Sequence, residues 1–102
     1  MLENEFKTKL KKEIKSRFDG CIVAHMDAGD IQGIPDLLVL FNDRWATLEG
    51  KKNVNATRRP NQKYYVKKMD NMSFSRFIYP ENKDEVLDEL EEYFRGGIGN
   101  DI

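Results

Sequence analysis

Two acidic residues and one lysine stand where a predicted β-hairpin would bring their side chains together. An apolar strand follows Ile34-Pro35-Asp36, turns at Asn42-Asp43 and returns through Glu49-Gly50-Lys51. A two-residue turn centred on Asn42-Asp43 places Asp36 opposite Glu49, and strand alternation puts Lys51 on the same face. Because directly opposed carboxylates repel each other, we expect a cation between them.

The expected cation is Mg²⁺ or Mn²⁺, held by the carboxylates of Asp36 and Glu49 with the backbone carbonyl of Gly50 as a further ligand. An ion in this position promotes phosphodiester hydrolysis by polarising a phosphoryl oxygen and making hydroxide available. Lys51 would position the attacking water or stabilise the negative charge that develops. A zinc site is disfavoured, because the chain has one histidine and one cysteine.

The first predicted helix, residues 3–18, would bring a further acid to this hairpin. Its apolar residues recur at four-residue steps, and Glu3 falls inside the apolar arc while Glu5 falls at its edge. Glu3 would serve the site as an outer acid, with Glu5 as the alternative, although an acid here also suits the positive end of the helix dipole.

A second predicted helix begins at Pro60, which suits a first helical turn, and runs to about Asn71. Its apolar spacing places Gln62 on the buried stripe. A buried glutamine needs hydrogen-bond partners, so we expect Gln62 to orient Lys51 or to contact a phosphate.

These elements belong to an α/β chain with the order αβββαβα. The remaining predicted elements are an apolar, buried strand at 21–26, a final strand at 73–79 and an acidic amphipathic helix at 82–94. The strand at 37–41 is apolar throughout, which is typical of a central strand covered on both faces. This order predicts one mixed sheet with helices on both sides, as a single domain over residues 1–95 followed by a flexible tail at 96–102.

Charge is distributed unevenly along the 102 residues, although the formal net charge is only −1. Residues 44–68 carry eight basic residues and one acid, whereas acids concentrate in the last fifth of the chain. A basic surface beside the hairpin suits a polyanion such as nucleic acid, although a set of solvated charged faces has the same composition. The residues expected to contact nucleic acid are Lys52, Arg58, Arg59 and Lys63.

The composition predicts a cytoplasmic protein without a membrane partner. No apolar run approaches the roughly 20 residues that span a bilayer. Glu3 and Glu5 interrupt the region where the apolar part of a signal peptide would begin. Cys21 is the single cysteine and has no partner for an internal disulfide, which favours a reducing compartment.

The central motif resembles that of a known enzyme superfamily. Asp36 after a proline, followed a dozen residues later by Glu49-Gly50-Lys51, resembles the PD-(D/E)xK motif of the restriction-endonuclease-like nucleases. Further segments resemble the small phage-encoded proteins of the VRR-NUC group, which are often described as Holliday-junction resolvases. These segments are Gly33-Ile34-Pro35-Asp36-Leu37-Leu38, Pro60-Asn61-Gln62-x-x-Tyr65, Met72-Ser73-Phe74 and Tyr79-Pro80-Glu81-Asn82.

The resemblance implies a restriction-endonuclease-like core and an active site built from five residues. By position these are Glu3, Asp36, Glu49, Lys51 and Gln62. The residue between the acid and the lysine is usually bulky and apolar in that superfamily, but here it is Gly50. Its side of the strand faces the core, so we expect looser packing there.

The sequence therefore predicts an Mg²⁺- or Mn²⁺-dependent DNA endonuclease, phage-encoded and acting in the host cytoplasm on structured or branched DNA. A domain this small makes few contacts with DNA, which favours a homodimer. One alternative is a DNA-binding module of the same fold with weak or no catalytic activity. Another is an inhibitor or assembly factor whose acidic C-terminal helix binds a basic partner. Cleavage and salt-sensitive DNA binding distinguish the three.

Overall fold

The computed structural model describes residues 1–96, and the predicted mixed α/β fold is confirmed. Three helices and four strands follow one another along the chain. They are α1 (Glu3–Arg17), β1 (Ile22–His25), β2 (Leu37–Phe41), β3 (Arg44–Gly50), α2 (Pro60–Met72), β4 (Ser75–Ile78) and α3 (Lys83–Glu91), after which a π-helical turn covers Glu92–Gly96. The predicted flexible tail lies outside the described residues, except Gly96, which belongs to that turn.

The four strands form one sheet in the order β1-β2-β3-β4. The first three are antiparallel to their neighbours, and β4 is parallel to β3. Asn42 adopts a left-handed conformation with φ of 55°, as the first residue of a tight hairpin turn requires. Phe41 therefore pairs with Arg44, the ladder runs down to Leu37 and Leu48, and Asp36 and Glu49 are the next pair in the same register.

The hydrophobic core lies on the face of the sheet that α1 and α3 cover. Ala46 and Leu48 of β3 are fully buried on this face, together with Leu37 and Val39 of β2. Helix α1 contributes its apolar row, because residues four apart lie on one side of a helix. That row is Phe6, Leu10, Ile14 and Phe18.

Helix α2 contacts β3 and β4 and covers the opposite face of the sheet, where every second residue of each strand points away from that core. Fully buried Thr47 donates a hydrogen bond of 2.8 Å to Ser75 Oγ on this face. The second face is therefore the one that carries Glu49. No helix within residues 1–96 is both long and apolar enough to span a membrane.

The prediction that β1 is buried and that β2 is covered on both faces is wrong. Strand β1 is an edge of the sheet, and Ile22 is 60% exposed. Leu40, its partner on β2, is 39% exposed. The physical reason is that α2 contacts β3 and β4, which leaves the second face of β1 and β2 open.

Candidate active site

Asp36 is fixed at the open end of the hairpin by backbone hydrogen bonds from both sides. Its carbonyl accepts a 2.8 Å hydrogen bond from the Met26 N–H, next to the end of β1. Its carboxylate Oδ2 accepts a 3.1 Å hydrogen bond from the Gly50 N–H on β3. Pro35 is fully buried before it, so the approach to the strand is rigid. The Asp36 carboxylate is thereby held beside the last residues of β3.

Glu49 is a buried acid whose pKa is strongly raised. The residue is 3% exposed, and burial raises the pKa of its carboxyl from 4.5 to about 7. The charge of Asp36 acts in the same direction, and a hydrogen bond to Asp36 favours the protonated form, whereas the charges of Lys51 and Lys7 act against the shift. A buried carboxyl held beside a second acid in this way forms a site that a cation would stabilise.

Lys51 and Gln62 form a hydrogen-bonded network with Glu49. The Lys51 ammonium donates to Gln62 Oε1 over 2.9 Å and lies 3.7 Å from Glu49 Oε2. The Gln62 amide nitrogen donates to the same Glu49 oxygen over 3.3 Å. Because Lys51 is only 8% exposed, its charge acts on its neighbours with little screening by water. The structure therefore brings together three of the predicted site residues in one network, in which Glu49 and Lys51 are buried and Gln62 is partly buried.

Gln62 is positioned by the way α2 begins. Pro60 occupies the first turn, and Gln62 Oε1 also accepts a 3.0 Å hydrogen bond from the backbone N–H of Arg59, which caps the helix. Both donors to Oε1 fix which end of the amide points at Glu49. Gly33 lies against this helix start with φ of 92°, and a Cβ on it would stand 2.5 Å from Asn61 Cβ. The loop before β2 thus reaches α2 only because residue 33 is glycine.

Glu3 reaches the site through Lys7, which is not one of the site residues predicted from sequence. The Lys7 ammonium lies 2.8 Å from Asp36 Oδ2 and 3.1 Å from Glu3 Oε2. Glu3 is only partly buried, with 40% of its side chain exposed. Glu5 is exposed, and Glu3 rather than Glu5 lines the cavity next to Lys51. The one signal for Lys7 was its spacing of four residues from Glu3 on a helix.

A cavity of about 620 Å³ opens beside the buried network. Glu3, Lys51 and Gln62 line it, together with Lys52, Arg59 and the loop at 53–57. Glu3 is the acid on its walls, and the basic side chains of Lys51, Lys52 and Arg59 give the cavity a positive character that suits an anionic ligand.

The four residues predicted to bind nucleic acid do not form one continuous surface. Lys52 and Arg59 are exposed on the cavity wall, and Lys63 is exposed on α2 outside that wall. The Arg58 guanidinium stacks instead over the rings of Phe77 and Tyr79, at 4.6 and 5.4 Å from their centroids. This stacking keeps Arg58 partly buried, so its guanidinium is less accessible to nucleic acid than the side chains of Lys52 and Arg59.

A second basic surface, which the sequence analysis did not assign to the site, lies along α1. Lys7, Lys11 and Lys15 follow one another at four-residue steps and line a cavity of about 390 Å³ with His25. The Lys11 ammonium lies 3.1 Å from His25 Nε2. Since Lys7 also contacts Asp36, this row of lysines begins at the acid pair and leads away from it.

The donor set fits a hydrated Mg²⁺ or Mn²⁺ and does not fit a metal that needs a full set of protein ligands. Residues 1–96 contain no group of three or more His, Cys, Asp or Glu side chains suited to a metal ion. Magnesium needs only one or two carboxylates, because it keeps several of its waters. Asp36 and Glu49 would supply these, and the geometry of a strand places the Gly50 carbonyl on the same side as the Gly50 N–H that bonds Asp36.

In comparisons with known proteins, no family model matches the chain and no curated protein matches it significantly. The resemblance to the PD-(D/E)xK nucleases therefore depends on the motif residues and on the geometry described above.

Proposed function

We propose that the chain is a divalent-metal-dependent deoxyribonuclease of the PD-(D/E)xK type, similar to the VRR-NUC group, with a restriction-endonuclease-like core. Its substrates would be structured or branched DNA of the Holliday-junction kind. One observation carries the proposal. The hairpin register sets buried Glu49 against Asp36, while Lys51 and Gln62 complete a hydrogen-bonded network at the wall of a partly basic cavity.

Each residue of the network has a chemical role in this proposal. Asp36, Glu49 and the Gly50 carbonyl would hold Mg²⁺ or Mn²⁺, which when bound supplies Lewis-acid activation of the phosphoryl group. Lys51 presents a poorly screened positive charge for the negative charge that develops during hydrolysis. Gln62 fixes the Lys51 ammonium through its Oε1. Glu3 adds an acid at the cavity wall, where it would orient water near the acid pair.

The basic surfaces support a nucleic acid as the substrate. Lys52 and Arg59 on one side of the acid pair, and the lysine row of α1 on the other, provide donors for phosphates. Lys63 adds an exposed positive charge on α2, and Arg58 adds a partly buried one that stacks on Phe77 and Tyr79. Such contacts carry no sequence information, which agrees with recognition of DNA by its shape.

A cleavage assay with matched variants tests the proposal. The wild-type protein is incubated with single-stranded, duplex, flap and four-way-junction DNA in Mg²⁺ or Mn²⁺, beside Asp36→Asn and Lys51→Met. Asp43→Asn is the control, because Asp43 is an exposed acid in the turn of the same hairpin. We expect cleavage by the wild type and the control only. Wild-type protein that leaves every substrate intact, or variants as active as the wild type, would contradict the proposal.

A DNA-binding module without cleavage is the second candidate, and one contact favours it. The Lys7 ammonium lies 2.8 Å from Asp36 Oδ2, so a cation of the chain itself pairs with this acid. In that case salt-sensitive binding to DNA would persist while no substrate is cut and Mn²⁺ releases no heat on titration. If DNA binding is also absent, the acidic helix α3 becomes the surface to test with basic protein partners.

We also propose that two copies act together. Ile22 and Leu40 are exposed apolar residues that lie side by side on the open face of β1 and β2. Strand β1 is also an edge strand of the sheet, so this region could pair with a second copy. A branched DNA substrate offers two strands to cut, and one copy provides one site. Light scattering across a concentration series, with and without junction DNA, tests this. A monomer under all conditions removes the dimer, and Leu40→Lys should weaken a dimer that uses this face.

The proposed place of action is the host cytoplasm, with the chain encoded by a phage. Cys21 is the single cysteine and is half-buried without a disulfide partner, which suits a reducing compartment. Branched DNA intermediates of phage replication would be the substrates available there. Fractionation of cells that express the tagged chain tests the compartment, and recovery from the periplasm would contradict it.

A further inference from the structure

The glycine in the central motif leaves space that a lysine of another element fills. Position 50 lies on the same face of β3 as buried Ala46 and Leu48, so a side chain on residue 50 would point toward α1. A Cβ built on Gly50 would stand 3.0 Å from Lys7 Cγ and 3.1 Å from Lys7 Cε. The packing around Gly50 is therefore not loose, contrary to the expectation from sequence, because the aliphatic part of Lys7 occupies the place of the missing side chain.

This path across Gly50 brings the Lys7 ammonium to the acid pair. Its nitrogen lies 2.8 Å from Asp36 Oδ2 and 3.1 Å from Glu3 Oε2, and the side chain is 16% exposed. Burial lowers the pKa of Lys7, but hydrogen bonds and charges from Asp36 and Glu3 outweigh it and raise that pKa overall. The stem lies against the strand while the charged end meets two acids, so Lys7 holds these two side chains in fixed positions.

We propose that Lys7 and Gly50 act as one unit, in which the glycine lets the Lys7 ammonium serve as a resident cation on Asp36 that a divalent metal must displace. The inference rests on the proposed function in that it assigns Asp36 to a metal site. Lys7 is thus a positioning residue, because it acts through Asp36 and Glu3. It stabilises the acid pair without metal and weakens metal binding.

The competition follows from the hydrogen bonds that Asp36 already accepts. Its Oδ2 takes one from the Gly50 N–H and one from Lys7, so a metal at this oxygen meets a bound cation. Removing the ammonium removes both a competitor and a positive charge near the metal. We expect binding of Mn²⁺ to become about tenfold tighter, the order of change that loss of one charge-assisted hydrogen bond produces.

A double-mutant cycle tests the unit without metal or substrate. Urea unfolding in EDTA is measured for wild type, Gly50→Ala, Lys7→Ala and the double variant. Whatever the sign of its effect in the wild type, Gly50→Ala should be more favourable where Lys7 is absent, because the added methyl then meets no stem. Lys11→Ala is the control background, since Lys11 contacts His25 and not Gly50. There the effects should add.

Calorimetric titration with Mn²⁺ tests the competition. Lys7→Met and Gly50→Ala should both bind Mn²⁺ about tenfold tighter than the wild type, whereas Lys11→Met should be unchanged. A cycle with additive effects, or variants with wild-type Mn²⁺ affinity, overturns this inference while leaving the proposed function in place. Absence of Mn²⁺ binding in the wild type and in every variant overturns both the metal site and the competition for it.

Discussion

The two ends of the β2–β3 hairpin are built on opposite principles. At the turn, Phe41 packs with Phe18 and Phe94 in an aromatic cluster whose ring centroids are 5.3 to 5.5 Å apart. At the open end, five residues further along each strand, Asp36 and Glu49 meet with two lysines close to them. One end depends on shape and burial of apolar surface, and the other on charge.

This difference indicates that one end stabilises the fold while the other holds the proposed chemistry. The aromatic cluster contributes through apolar area and ring contacts, which do not depend on pH. The charged end contributes little net stability, because the cost of removing its acids and lysines from water offsets most of the attraction between them. The hairpin register connects the two, since the residues that pair at the turn determine which residues face each other at the open end.

The largest expected effect is on stability, at the aromatic end. Phe18→Ala removes a fully buried ring from the cluster, and we expect a loss of about 3–5 kcal/mol in the free energy of unfolding. Urea unfolding measures it. Binding of Mn²⁺ by the protein that remains folded should be unchanged. A loss of metal affinity equal to the loss of stability would show that the two ends are not separate.

The next largest effect is on catalysis, at the charged end. Lys51→Met keeps the length of the side chain but removes its charge beside Glu49, so cleavage should fall by about 10²–10³-fold. Single-turnover cleavage of the best DNA substrate measures this. Lys9→Met is the control, because Lys9 is an exposed lysine of α1 that lines neither the cavity beside the network nor the cavity along the lysine row. The separation of the two ends fails if Lys51→Met loses stability and keeps its cleavage rate.

A smaller effect concerns pH. The pKa of Glu49 is about 7 in the folded protein and near 4.5 when exposed, so the folded state binds this proton more tightly. Metal-free wild type should therefore lose stability as pH rises from about 4.5 to about 7. Glu49→Gln removes that dependence, and its advantage over wild type should grow by about 1–3 kcal/mol between pH 4.5 and 8.

Urea unfolding in EDTA at pH 4.5, 6 and 8 measures this difference between the two proteins. Mn²⁺ at pH 8 should recover stability in the wild type and much less in Glu49→Gln. A difference that stays constant with pH would mean that Glu49 ionises as an exposed carboxyl does.

The smallest effect concerns the loop that supports α2. Gly33→Ala introduces a Cβ at a positive φ and 2.5 Å from Asn61 Cβ, which should cost about 1–3 kcal/mol and displace Gln62. Gly20→Ala is a matched control, because Gly20 has φ of 86° but no heavy atom within 4 Å of the added Cβ. Unfolding and cleavage are compared. Equal loss of cleavage in both variants would show that the contact with Asn61 does not position Gln62.

The hairpin was predictable from sequence because a two-residue turn allows few backbone conformations and fixes the pairing of the two strands. Asn42 tolerates the left-handed conformation, and the turn then determines every pair from Phe41 and Arg44 downward. Gln62 was also predictable as an inward polar residue, because a proline marks the helix start and apolar spacing gives its buried side. Both inferences depend on local rules that hold whatever the rest of the chain does.

Lys7 and the edge position of β1 were not predictable in the same way. The apolar spacing of α1 does not distinguish Lys7 from the other lysines of that helix, whereas its contacts with Asp36 and Gly50 in the structure do. The sequence of a short, largely apolar strand such as Ile22–His25 does not show whether the strand lies at the edge or in the centre of a sheet. Both features depend on how distant segments pack, and the spacing of residues along one segment does not contain that information.

The two-residue turn also determines which changes of chain length the protein tolerates. Asn42 and Asp43 are exposed and contribute nothing to the core, so substitutions there should be mild. Inserting a single residue between them is a different matter, since a shift of one position exchanges the two faces of a strand. Glu49 would then point toward α1 and Gly50 toward α2, although both lie roughly 17–20 Å from Arg44, where β3 begins. Homologous chains should therefore vary in the two residues of this turn while conserving its length.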